Sequence, residues 1–165
     1  MIGIRKNIKN DIPIIGKYGA NQEVSGDMYY KGANLIHTIR QLINNDEKFR
    51  NILRGLNKTF YHQTVTTAQI EQFIARESGL KLARVFDQYL RTIKIPILEY
   101  SIKNQQLRYR WSNVVTGFDM PVKVTLNKGV LSQIAPTTEW KTVPVKVPLD
   151  SFKVDPNFYV RPKRD

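Results

Sequence analysis

The sequence predicts an α+β fold in which short antiparallel helices are followed by a small antiparallel β-sandwich. Three observations carry this prediction. Up to Leu90 the apolar residues recur at three- and four-residue spacing, the period of one helix face. From Ile97 the period switches to two, the alternation of half-buried strands. Pro96 stands at the switch, where a helix could not continue. The change divides the chain into a helical part, residues 1–96, and a β-sandwich-like part, residues 97–165.

Residues 1–27 read as a loop-rich lead-in punctuated by Asp11-Ile12-Pro13, Gly16, Gly19-Ala20-Asn21 and Ser25-Gly26. Gly19 and Asn21 allow left-handed turns, and Ser25 or Asp27 is the expected N-cap of the helix that follows. Leu35, Ile36, Ile39, Leu42 and Ile43 form the stripe of that first helix. Gly32 and Ala33 open the stripe with almost no side chain, which leaves room for another backbone or a ligand. Asn44-Asn45-Asp46-Glu47 offers caps and an acidic first turn to a second helix with Phe49, Ile52, Leu53, Leu56 and Phe60 on one face. Thr66 and Gln69 fit a capping box for a third helix, with Ile70, Phe73 and Ile74 as its stripe and Gly79 as its left-handed stop. A fourth is predicted from Leu80, with Leu82, Val85, Phe86, Tyr89 and Leu90 facing inward. Short loops make such helices antiparallel neighbours.

Strands are predicted over 97–102, 106–111, 120–126, 140–145 and 151–154. Lys103-Asn104-Gln105 and Asn127-Lys128-Gly129 supply hairpin turns, and Pro121 and Pro144 belong at edges or bulges. Trp111 and Trp140 are expected to pack inside this part.

With 165 residues and 41% hydrophobic content the chain can bury a core. It has no cysteine, so disulfides and thiolate metal sites are excluded. No apolar run is long enough for a membrane span, and the first residues hold no apolar stretch fit for a signal peptide. A net charge of +12 raises nucleic acid as a partner. The basic residues are spread over all segments, however, and the densest group, Arg161-Pro162-Lys163-Arg164, ends the chain as an expected solvated tail. That distribution predicts weak, sequence-indifferent binding and no specific nucleic acid partner.

The segment Gly26-Asp27-Met28-Tyr29-Tyr30-Lys31-Gly32-Ala33 joins the lead-in to the first helix. Tyr29-Tyr30-Lys31-Gly32, followed by a small residue and an apolar helix, resembles the Tyr-x-Lys-Gly-Ala segment of zinc aminopeptidases of the aminopeptidase N type, the gluzincin family. The succession of a helix, shorter helices and a Pro-initiated β segment extends the resemblance over most of the chain. It implies the C-terminal part of a catalytic domain followed by a β domain. Tyr29 then falls on the family's catalytic tyrosine, and the lead-in either borders the substrate groove or is a frayed end.

The family's zinc site resembles His-Glu-x-x-His plus a Glu on the next helix. Only His37 and His62 occur here, and neither is followed by Glu. By resemblance zinc belongs to the parent enzyme, none is bound by this chain, and the chain alone is inactive. Its partners are a peptide substrate and the missing metal-binding lobe. The first-helix stripe, normally covered by that lobe, is expected to stay partly exposed and to invite self-association.

A phenol suits the role implied for Tyr29, since it is ordinarily protonated at neutral pH and donates a hydrogen bond. A donor aimed at a developing oxyanion contributes on the order of 3 kcal/mol to the transition state. Tyr30 reads as packing or groove wall, and Lys31 as an exposed first-turn residue or a charge paired with the missing lobe. His37, beside the stripe, is expected to be hydrogen-bonded and half-buried, and His62 solvated. Asp87 and Glu99 lack a partner that would make them an acid and base pair. The other class of function left open is a stand-alone basic module that binds protein or nucleic acid.

Overall fold

Caps and stops written in the chain set half of the helix ends. The computed structural model describes residues 2–18 and 24–165, with four helices over Asp27–Ile43 (α1), Asp46–Thr59 (α2), Thr67–Ser78 (α3) and Ala83–Leu90 (α4). Asn44 ends α1 in the left-handed conformation at φ 51°, and Asn45 caps α2 by accepting from Lys48 N at 2.9 Å. Thr66 and Gln69 close the reciprocal capping box on α3, and Gly79 stops it at φ 73°. Each device satisfies backbone groups that a helix end leaves without partners. Consecutive helices pack on one another, and α1 also meets α4.

Two expected helix starts are corrected. α1 begins at Asp27 with Gly26 as its N-cap and no capping side chain. The Asp27 carboxylate is turned away to the lead-in, where it accepts from Lys9 N at 2.8 Å and Asn10 N at 2.7 Å. Ser25 sits one residue too early; its hydroxyl donates to Asp11 at 2.6 Å and takes Asp27 N at 3.2 Å. α4 begins at Ala83, later than Leu80, because Gly79 turns the chain and Leu80 N goes to the Ser78 hydroxyl at 3.3 Å. The lead-in itself starts with a short 3-10 helix, Ile2–Asn7. The left-handed turns expected at Gly19 and Asn21 lie outside the described residues.

The strands are Ile97–Lys103 (β1), Gln106–Ser112 (β2), Val122–Asn127 (β3), Val130–Ile134 (β4), Lys141–Pro144 (β5) and Arg161–Arg164 (β6). They form a four-stranded sheet in the order β5-β2-β1-β6 and a two-stranded sheet of β3 and β4. Together with the helices this is an α+β fold. Asn104 and Gln105 at φ 49° and 57° make the tight β1–β2 turn, whose backbone matches the twist of the strands.

Three strand expectations change. Residues 149–151 form a 3-10 turn, and only an isolated bridge from Val154 to Val124 remains of the expected last strand. β4 was not foreseen, because Val130 and Leu131 break the alternation and stand 53% and 47% exposed. Arg161–Arg164 is not a free tail: its backbone pairs with β1, in parallel, while its side chains stay exposed. The open edge of β1 decides that pairing, whatever the polarity of the side chains.

One core runs through all layers, with Leu35 and Ile39 of α1, Phe86 and Tyr89 of α4, Leu98 and Trp111 of the larger sheet and Val122 and Val124 of β3. Trp111 is buried as expected, its Nε1 donating to Met120 O at 3.0 Å. Trp140 is not a core residue; it lies half-buried with the guanidinium groups of Arg108 and Arg110 at 4.1 and 4.5 Å from its ring centre. The first-helix stripe is partly exposed, with Leu42 and Ile43 half-buried. Leu35 and Ile39 are buried and Ile36 is exposed, and polar Lys31, Asn34 and Thr38 share the inward face. No helix among the described residues is long and apolar enough to cross a membrane.

Candidate functional site

The first turn of α1 presents three neighbouring side chains to solvent: Met28 at 40%, Tyr29 at 70% and Tyr30 at 36% exposure. The turn is tight, with Met28 N donating to Ser25 O at 3.2 Å and Tyr29 N to Gly26 O at 3.1 Å. The Tyr30 carbonyl accepts from Asn34 Nδ2 at 2.9 Å. Tyr29 thus projects its phenol outward from a helix start. Gly32, one turn on, faces open space: a Cβ there would meet no heavy atom within 4 Å. Among the described residues, no other part of the chain occupies the room that Gly32 leaves.

The inner side of the same turn is polar and buried, which the sequence reading missed. Lys31, expected to be exposed or paired outside the chain, is fully buried and donates to Thr92 O at 2.7 Å. Burial lowers its pKa below the ordinary lysine range, and the Asp27 charge opposes that shift. Arg5 donates through Nε to Asn34 Oδ1 at 2.7 Å and lies over the Tyr159 ring at 5.2 Å; burial lowers its pKa too. The signal was available. Asp27, Lys31, Asn34 and Thr38 recur at three- and four-residue spacing on the side of Leu35 and Ile39, but a search for apolar stripes passes over it.

The remaining candidates stay apart from this turn. His37 meets Asn157 Oδ1 at 3.1 Å and is half-buried, as expected beside the stripe. His62, exposed and at φ 51°, stacks edge-on against Tyr61 with ring centres 4.1 Å apart. Asp87 is ion-paired with Arg84 and Arg91. Glu99 is held below the usual carboxylate range by its hydrogen bond from Arg110 at 2.8 Å, with Lys163 at 3.3 Å. Among the described residues no group of three or more His, Cys, Asp or Glu lies together so as to hold a metal ion. The donors among the described residues do not fit a zinc site. A hollow of about 220 Å³, lined by Leu42, Leu82 and Val85 and by the polar Lys81, Asp119 and Gln133, does not include Tyr29.

No protein-family model matches the sequence, and no curated protein matches it significantly. Among solved structures, the chain is similar to the crystal structure of Legionella pneumophila aminopeptidase A in complex with aspartic acid. The TM-score is 0.69 at 15% identity, over 95% of this chain and 21% of that one. The chain therefore spans about a fifth of that protein's length. At this identity the likeness is one of fold, and the fold is that of part of an aminopeptidase chain.

Proposed function

We propose that this chain is the C-terminal portion of a zinc metallo-aminopeptidase of the aminopeptidase N, gluzincin type. Residues 1–96 are the end of its catalytic domain and residues 97–165 its β domain. Tyr29 is the catalytic residue contributed here, and α1 forms one wall of the peptide groove. The observation that carries the reading is an exposed Tyr29, at the head of its Tyr-x-Lys-Gly motif, on a fold similar to part of an aminopeptidase.

The zinc and its ligands belong to the lobe outside this chain, with which it partners, and no step is assigned here to the metal. What this chain supplies is a neutral donor. As the scissile carbonyl of the peptide is attacked, its oxygen gains negative charge, and the Tyr29 phenol donates a hydrogen bond to it. That bond strengthens as the charge develops, so it lowers the barrier more than it tightens substrate binding.

The test is Tyr29→Phe in the complete enzyme, which removes the hydroxyl and keeps the ring. Turnover should fall roughly a hundred- to a thousandfold with little change in KM. Tyr30→Phe, its neighbour outside the motif position, should stay near wild type. Equal harmlessness of the two, or sensitivity at Tyr30 alone, would remove Tyr29 from the mechanism.

A further inference from the structure

Asp27 and Lys31 bracket the three exposed residues of α1's first turn, yet both are buried, at 1% and 0% exposure. Each is tied to a different segment. Lys31 Nζ donates to Thr92 O at 2.7 Å, just past the end of α4. The Asp27 carboxylate takes the backbone N–H groups of Lys9 and Asn10 in the lead-in. The lead-in is in turn tied to α4, through Ile15 N to Leu90 O at 2.8 Å. Three segments thus close a ring of hydrogen bonds around the start of α1.

We infer that Asp27 and Lys31 are positioning residues for Tyr29, clamping the first turn of α1 between the end of α4 and the lead-in so that the phenol leaves the helix in one direction. The inference rests on the reading of Tyr29 as an oxyanion donor. A buried ammonium is costly in desolvation, and an apolar side chain of similar length would fill the site without that cost. Charge here therefore serves geometry before stability. The need for geometry is plain: an oxyanion donor acts over hydrogen-bond distance, while the Tyr29 ring, 70% exposed, gets little hold from packing in this chain. Its aim has to come through the backbone beneath it.

Lys31→Met keeps the length of the side chain and removes the donor. In the complete enzyme it should lower kcat roughly ten- to a hundredfold, with KM and zinc content unchanged. In a Tyr29→Phe background the same substitution should cost almost nothing further, because the group it aims is gone. If Tyr29→Phe alone is silent, the reading of Tyr29 fails and the inference with it. If Tyr29→Phe slows turnover but Lys31→Met does not, or Lys31→Met costs as much in the Tyr29→Phe background, the inference is overturned and the reading of Tyr29 stands. On the 165-residue chain itself, Asp27→Asn should speed amide hydrogen exchange at Lys9, Asn10 and the first turn of α1 severalfold, leaving α2 and α3 unchanged. Unaltered exchange at those amides would also overturn the clamp.

Discussion

At Tyr89 a single hydroxyl ties α4 to the chain's last segment. The side chain is fully buried, and its Oη donates to Tyr159 O at 2.6 Å. Burial raises the pKa of both tyrosines, most of all Tyr89. A folded pKa above the unfolded value of about 10 means that the native state keeps a proton the unfolded chain releases. The corresponding stability is complete below pH 10 and is lost as pH rises beyond it. Lys31 and Arg5, whose pKa values are lowered by burial, act in the opposite sense, so the effect is read as a difference between variants. Tyr89→Phe should cost about 1–3 kcal/mol at neutral pH, because the Tyr159 carbonyl loses its donor. It should also flatten the alkaline fall. Urea unfolding of both proteins at neutral pH and above pH 10 measures the two effects; parallel pH dependences would exclude Tyr89 as a source of the alkaline loss.

Among the elements, α3 is the one whose two ends are most fully specified by side-chain chemistry. Thr66 and Gln69 hold its start, and Gly79 accepts a left-handed turn at its end. Both ends are exposed, and a Cβ on Gly79 would meet nothing within 4 Å, so substitutions there read capping and backbone strain without a packing term. Thr66→Ala should destabilise by about 1 kcal/mol and Gly79→Ala by a similar ~1 kcal/mol. The double variant should lose close to the sum, since the sites share no partner. Chemical denaturation with an unchanged slope checks this; a loss well below the sum would show that the ends are coupled through the helix. α1 teaches the opposite lesson. Ser25 and Asp27 have capping chemistry, yet the tertiary partners Asp11, Lys9 and Asn10 claim both side chains.

For the molecule as a whole, the described residues offer no cluster of metal donors, and the two histidines serve other contacts. The purified chain should therefore neither bind zinc stoichiometrically nor cleave an aminoacyl-anilide. Metal analysis after dialysis, with a chelator-treated control, checks both; stoichiometric zinc with chelator-sensitive turnover would overturn the proposed division between this chain and a metal-binding lobe. The +12 charge should show itself only as weak binding to nucleic acid that disappears on adding salt. A complex that survives physiological salt and prefers one sequence would favour a basic binding module instead.

The α+β class, four helices, the switch of period at Pro96 and both hairpin turns were legible in the sequence, because they depend on local rules: spacing, caps and turn residues. Tyr29 was legible as a candidate through its motif. β6, the surface place of Trp140 and the buried charges under α1 were not, for a common reason. A free strand edge, a pair of arginines on a neighbouring strand and the end of another helix are all distant in sequence, and each supplies the partner that decides the outcome. Thus the sequence by itself determined the four helices and the strands β1, β2, β3 and β5, and marked Tyr29 as the candidate to test. Only the tertiary structure decided that Lys31 is buried, because the carbonyl that makes such burial tolerable belongs to Thr92. The free energy of a buried charge depends on the partner it meets, and that partner is brought there by the fold.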